Sequence, residues 1–293
     1  MFANKRNHNK MISSIKILSV IVTYNPELHH LKDVVMTLSK QIDSILLYDN
    51  NSLNFKDIAS IQFPQNVIIH SSPINKGLPT HYNAAIQYGL ENGFDYLLIL
   101  DQDSTFDKHF LDEYRKHLDA DFFCLVPFLV HNNIDYENIY PTKTKNTCDY
   151  VKRSINSGTL INLHNLPKGL RFDEDLFIDC VDFDFFIQAN KFRLKTLRIN
   201  SAKLHISLGN ISRIGPFFLY NYSPFRLEKQ TRDRVIFLRK HPISAFSLWL
   251  FLFTIFCDTK AVLFERERLR KISAIAKGFK EGLFFRISSQ QHS

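Results

Sequence analysis

The sequence predicts an α/β protein with a mostly parallel sheet flanked by helices, and three observations carry that expectation. Short apolar, β-branched runs alternate with amphipathic stretches through the first hundred residues. The polar clusters Asp49 to Ser52, Asn75 to Gly77 and Asp101 to Asp103 each follow such a run, on the edge where ligands of open parallel sheets collect. The composition, 45% hydrophobic and 23% charged in 293 residues, is that of a globular chain and excludes a low-complexity, collagenous or wholly disordered protein.

The elements follow in order. Ile17 to Tyr24 is a buried strand closed by Asn25-Pro26, and Glu27 to Gln41 is an amphipathic helix. Ser44 to Tyr48 and Val67 to His70 are further short strands. Lys76 to Leu90 is a second helix, ended by Asn92-Gly93, and Tyr96 to Leu100 is a fourth strand running into Asp101-Gln102-Asp103. The pattern then turns mixed, with strands at Phe122 to Val130, Ser157 to Leu163 and Leu197 to Ile206 around a helix from Val181 to Lys191. After Ser223 the chain reads helical almost to its end. This divides the chain into an extension over 1–15, an α/β domain over 16–222 and a helical region over 223–293.

Charge is unevenly spread. Residues 1–225 hold 23 Lys and Arg against 23 Asp and Glu, whereas the remainder holds 14 against 6, so the last quarter carries the whole net charge of +8. That distribution argues against a nucleic-acid partner and for a local basic face toward anionic lipid or phosphate. Cys124, Cys148, Cys180 and Cys257 form no C-x-x-C pair, so reduced thiols are expected rather than a disulfide framework or zinc ribbon. Near the basic residues Lys5, Arg6 and Lys10, the run Ile17 to Val22 is too short for a signal h-region, and a cytoplasmic location is expected. The longest apolar stretch, Ile243 to Cys257, is about 15 residues, short of the roughly 20 that a spanning helix needs.

Asp101-Gln102-Asp103 is the sharpest motif. Two carboxylates at the end of a buried strand can turn toward one hard cation, Mg²⁺ or Mn²⁺, that also binds substrate phosphate oxygens. The alternative is a solvated turn. Neither G-x-G-x-x-G nor G-x-x-x-x-G-K-[ST] occurs, and no H-E-x-x-H or G-x-S-x-G, which removes the usual dinucleotide loop, P-loop, zincin and hydrolase signatures. A second carboxylate cluster runs Asp179-Cys180-Val181-Asp182-Phe183-Asp184. Asp179 and Asp182 are three apart, on one side of a helix that starts there, and either can accept a proton from an acceptor hydroxyl. The bland alternative is a helix N-terminal charge cluster.

Taken in order, "SVIVTYNP", "YDNNS", "NKGLPTHYNAAI", "LLILDQD", "NSGTLIN", "FDEDLFIDCVDFDFFIQA", "LHISLG" and "SPFRLEKQTRDRVIFLRKH" resemble a family 2, GT-A-type glycosyltransferase of the bacterial rhamnosyltransferase branch, from about Ile17 to Pro242. The resemblance implies a GT-A catalytic domain in which Thr23 and Asp49 hold the nucleotide base and ribose, and Asn75 and Gly77 line the donor site. It implies that Asp101 and Asp103 carry the metal and, through it, the donor diphosphate, with His205 reaching metal or diphosphate. Ser157 and Gly158 resemble an acceptor-side turn, and Arg232 falls among arginines of the acceptor side. The branch has "R-x-Y-Y…R-N" there, whereas this sequence has Leu227-Glu228 and Asp233. The family's base is the Asp of a Glu-Asp pair, which maps to Asp182 with Val181 in place of the Glu; Asp179 is the rival. A processive synthase is disfavoured, because the Q-x-x-R-W motif is not kept around Gln230.

The expected activity is an inverting, metal-dependent transfer of one sugar to a hydroxyl of a cell-surface glycan intermediate, with a lipid-linked acceptor. The resemblance points to dTDP-L-rhamnose as donor. A galactofuranosyl or other UDP-sugar transferase is the enzymatic alternative, and a non-catalytic membrane-surface subunit is the alternative from another class. For the tail, Trp249 and its apolar neighbours beside Arg266, Arg268, Arg270 and Lys271 suit an anionic bilayer on the inner face of the plasma membrane, with packing on the domain or in a homo-oligomer as the competing reading.

Overall fold

The computed structural model describes residues 15–131, 146–206, 212–215, 217–241 and 245–288. Lys5, Arg6, Lys10, Ser207 to Gly209, Pro242 and Ile243, all named above, lie outside the described residues. The chain forms two units: 1–76, 80–171 and 185–207 make the first, and 77–79, 172–184 and 208–293 the second.

The first unit is built on one sheet. β1 (Ile17–Thr23), β2 (Ser44–Asp49), β3 (Val67–Ser71) and β4 (Tyr96–Asp101) are parallel in the order β3-β2-β1-β4. All seven residues of β1 are buried, which is why this strand reads as a continuous apolar run rather than an alternating one. Between these strands lie α1 (Leu28–Leu38), the short α2 (Phe55–Ser60) and α3 (Leu78–Glu91). Leu31, Val34, Val35 and Leu38 form the buried face of α1 at helical spacing, in one core with Ile21, Leu47, Leu98 and Phe110. After β3 the chain crosses back to the other side of β1, so strand order reverses between β1 and β4. The crevice at such a switch point is the ligand position of an open α/β sheet.

Beyond β4 the sheet becomes mixed. The two-residue β5 (Thr105–Phe106) and α4 (Phe110–Arg115) precede β6 (Cys124–His131), β7 (Cys148–Val151) and β8 (Leu160–Asn162). α5 (Val181–Lys191) leads to the long β9 (Thr196–Ile206). β8 is antiparallel to β4 and β6, β6 and β9 are parallel, and β5 and β7 pair antiparallel to β9. The strand expected over Ser157 to Leu163 is only three residues long. Its first half is instead a turn, in which Gly158 N donates to Ile99 O at 2.8 Å.

The second unit holds a small hairpin, β10 (Ser212–Ile214) with β11 (Phe217–Leu219), and three helices, α6 (Pro224–Lys240), α7 (Ala245–Phe264) and α8 (Arg268–Phe284). Ser223 caps α6, accepting from Arg226 N, with Pro224 at the first helical position. No glycine or proline marks the break between α7 and α8. Buried Glu265 makes it, accepting from Asn221 N at 3.0 Å and pairing with Lys271, while Glu267 takes a left-handed φ of 58°. Lys271, expected to face lipid, is therefore 3% exposed and committed to Glu265. The basic stretch is also less open than expected, since α8 packs along α6 through Lys271, Ala274, Gly278 and Gly282. At Gly282 an added Cβ would lie 2.7 Å from Arg232 O. No helix among the described residues is long and apolar enough to cross a membrane.

Candidate active site

In the first unit the residues at the sheet's carboxyl edge are tied to one another. Thr23 ends β1, and its hydroxyl donates to Asp49 Oδ1 at 3.2 Å, while Asp49 Oδ2 accepts from Ser52 N at 3.0 Å. Both residues are at most 1% exposed, so Asp49 also organises the turn after β2. Asn51 there holds φ at 65°, a conformation Asn tolerates better than most residues. The next turn is held by Asn50, whose Oδ1 accepts from Lys76 N at 2.8 Å and lies 3.0 Å from His81 Nε2. His81 is stacked on Tyr48. Asn50 thus sets the segment containing Asn75, a role the sequence reading did not assign.

Gln102 has the clearest unassigned function. Its Oε1 accepts from Tyr24 N at 2.8 Å and its Nε2 donates to Tyr24 O at 3.4 Å, so one amide side chain clamps the end of β1 to the end of β4 across the switch point. Asp101 and Asp103 flank this clamp, the first half-buried and the second exposed. Behind them, Ser157 Oγ accepts from Asp101 N at 3.1 Å and lies 2.6 Å from Ser104 Oγ, and Tyr114 Oη donates to Gly158 O at 2.7 Å. Ser157 is 2% exposed, so its hydroxyl shapes the Asp101 turn from beneath. Strand pairing puts His205 opposite Thr105, two positions past Asp103.

Among the described residues, no group of three His, Cys, Asp or Glu is gathered as for a metal ion. Mg²⁺ and Mn²⁺ bind through one or two carboxylates and complete their shell with water and substrate phosphate. Asp101 and Asp103, hard oxygen donors at an accessible strand end, are suited to that.

In the second unit, Gly77 holds φ at 79°, and an added Cβ would lie 2.5 Å from Phe177 O; Leu78 N donates to that same oxygen at 2.8 Å. The segment from Phe177 leads to the carboxylate cluster. Asp179 Oδ1 accepts from Cys180 N at 2.9 Å, and Oδ2 lies 2.6 Å from Arg234 Nε. Arg234 also lies 3.7 Å from Asp258 Oδ1. Burial pulls the Arg234 pKa down, but Asp179 and Asp258 more than offset it and hold the guanidinium charged. Burial pushes Asp258 up to about 6. Asp182, in the first turn of α5, is half-buried and its Oδ1 accepts from Phe183 N at 2.8 Å. Arg232 donates to Asp233 Oδ1 at 2.7 Å and stacks on Phe285 at 4.5 Å, so its guanidinium serves the packing of α6.

Residues 19–181 match the family Glycosyl transferase family 2. The dTDP-rhamnosyl transferase RfbF of Shigella flexneri is 25% identical over 247 residues, covering 78% of this chain and 81% of that protein. Among solved structures, S. aureus TarS 1–349 in complex with UDP-GlcNAc has a TM-score of 0.54 at 14% identity, over 92% of this chain and 73% of that one. The S. aureus TarS crystal structure gives 0.53 at 14% identity, with 92% of this chain spanning 44% of that chain. These likenesses show the fold, the GT-A arrangement with helices at its C-terminal end.

Proposed function

Because the chain belongs to Glycosyl transferase family 2, we propose that it moves one L-rhamnose from dTDP-L-rhamnose to a hydroxyl of a bacterial cell-surface glycan intermediate, inverting the anomeric carbon. The observation that carries the transferase reading is the Gln102 clamp, which ties the ends of β1 and β4 at the switch point of the sheet, with Asp101 and Asp103 on either side of Gln102 in the chain. The likeness to RfbF over most of both chains supports the choice of sugar. Asp101 and Asp103 would hold Mg²⁺ or Mn²⁺, which would neutralise charge on the departing diphosphate when bound, while His205 pairs opposite Thr105 and does not gather with them into a three-residue group. Thr23, Asp49 and Asn75 would form the nucleotide side.

Asp182 takes the proton from the acceptor hydroxyl. Asp179 is the weaker candidate, because its Oδ2 lies 2.6 Å from the guanidinium of Arg234, which takes up the oxygen an acceptor hydroxyl would need. The test is slow donor hydrolysis with Mg²⁺ or Mn²⁺ over a panel of dTDP-L-rhamnose, UDP-galactofuranose, UDP-glucose and UDP-GlcNAc. Hydrolysis of dTDP-L-rhamnose above the others is the expected result. Preference for a UDP-sugar reassigns the donor, and no hydrolysis of any favours the non-catalytic subunit.

The same reading places the protein on the inner face of the plasma membrane, near a lipid-linked acceptor. Leu248, Trp249, Leu252, Phe253 and Phe256 of α7 are between 37% and 58% exposed, an apolar surface larger than isolated exposed residues make. Arg266, Arg268 and Arg270 line an open cavity with Phe264 and Leu269 at the α7–α8 corner, so cations adjoin the apolar face, as suits anionic headgroups. The full chain is expected to sediment with phosphatidylglycerol vesicles but not with phosphatidylcholine vesicles, and 0.5 M salt or Arg266→Glu with Arg268→Glu should release it. A dimer in solution with no vesicle binding would assign this face to a second copy instead.

A further inference from the structure

Asp233 lies on α6 and is 0% exposed, yet most of its partners belong to another segment. Its Oδ2 accepts the amide N–H of three consecutive residues, Phe177 at 2.9 Å, Ile178 at 2.7 Å and Asp179 at 3.0 Å, while Oδ1 takes Arg232 Nη1 at 2.7 Å. Burial pushes Asp233 up to about 6, against the lowering by those amides and by Arg232. Three donors converging on one oxygen fix the backbone direction of residues 177–179. The opposite edge of Phe177 is fixed as well, by Leu78 N on its carbonyl. The next helical residue, Arg234, holds the side chain of Asp179.

The segment so held continues into a strained residue. Cys180 takes φ of 62°, a left-handed conformation that is strained for a non-glycine residue and persists only where surroundings enforce it. Asp182 follows two residues later. A buried carboxylate is costly unless donors offset it, and here three amides and one guanidinium do so.

We infer that Asp233 is a positioning residue: by gathering the amides of Phe177, Ile178 and Asp179 it sets the entry into α5 and thereby the place of Asp182. This rests on the reading of Asp182 as proton acceptor. A misplacement of about 1 Å in a reacting group can cost on the order of 10²-fold in rate.

The test uses the full chain and hydrolysis of dTDP-L-rhamnose, with Asp233→Asn, Asp182→Asn and the double variant. Asn keeps one oxygen for the amides but loses the charge and the Arg232 pair. Asp233→Asn is expected to lower kcat about 10- to 100-fold with KM within about twofold, and to speed hydrogen exchange at the three amides. The double variant should be no slower than Asp182→Asn, because placing a base has no value once the base is gone. Should Asp233→Asn fail to fold, Arg232→Gln, which strips the partner of Oδ1 together with the stacking on Phe285, should show a smaller loss with the same non-additivity. Multiplicative losses in a double variant, or a loss that follows the folded fraction alone, overturn the inference while Asp182 stands. Unchanged turnover in Asp182→Asn removes the base assignment and this inference together.

Discussion

Replacing Asp182 by Asn should cut turnover by roughly 10² or more while donor affinity stays nearly unchanged, the scale expected when a general base is lost. The change is nearly isosteric, and the amide oxygen can still accept from Phe183 N, so the first turn of α5 keeps its shape. Asp179→Asn should have the opposite character. It leaves Arg234 beside Asp258 alone, and breaking a buried ion pair costs about 3–5 kcal/mol when one partner is removed. Because the Arg234 side chain is still 16% exposed, the lower end of that range applies. Thermal melting separates the two: stability moves in Asp179→Asn and turnover in Asp182→Asn. If turnover falls further in Asp179→Asn at equal folded fraction, the base is Asp179.

Asp101→Ala and Asp103→Ala should each remove metal-supported sugar transfer, by at least about 10²-fold, the loss typical when an electrostatic contact to developing charge is deleted. Neither should unfold the protein. The turn is held through backbone and neighbours, with Ser157 on Asp101 N, Ser104 N on Asp101 O and Gln102 on Tyr24, and all of these survive truncation of the two aspartates. Melting temperatures within a few degrees of the parent, with activity lost, are the expected pair of results. Full hydrolysis in either variant, or in excess chelator, would overturn the metal assignment.

The fold was legible because its signals are local. Ile17–Thr23 and Tyr96–Asp101 are buried on both faces, so each announces itself as an apolar run, and Leu31, Val34, Val35 and Leu38 mark the buried side of α1 by spacing alone. Parallel strands joined by helices then bring Thr23, Asp49 and Asp101 to one edge whatever the side chains do. The break between α7 and α8 had no such signal, since the pairing of Glu265 with Lys271 and Asn221, rather than a glycine or proline, ends the helix.

The candidate site divides in the same way. Sequence by itself determined the two carboxylate clusters and the strand ends that carry them, because strand burial and the residues just past it are neighbours in the chain. Only the tertiary structure decided which partners the buried charges meet. Asp233 meets Phe177 from 56 positions away, and Gln102 meets Tyr24 from 78, distances at which no periodicity links the partners. Arg232 was read as an acceptor-side cation and Lys271 as a lipid-facing one, yet folding directs the first to Asp233 and the second to Glu265. A buried charge must find its counter-charge or amide donors wherever the fold provides them, and that partner is fixed by packing in three dimensions, not by order along the chain.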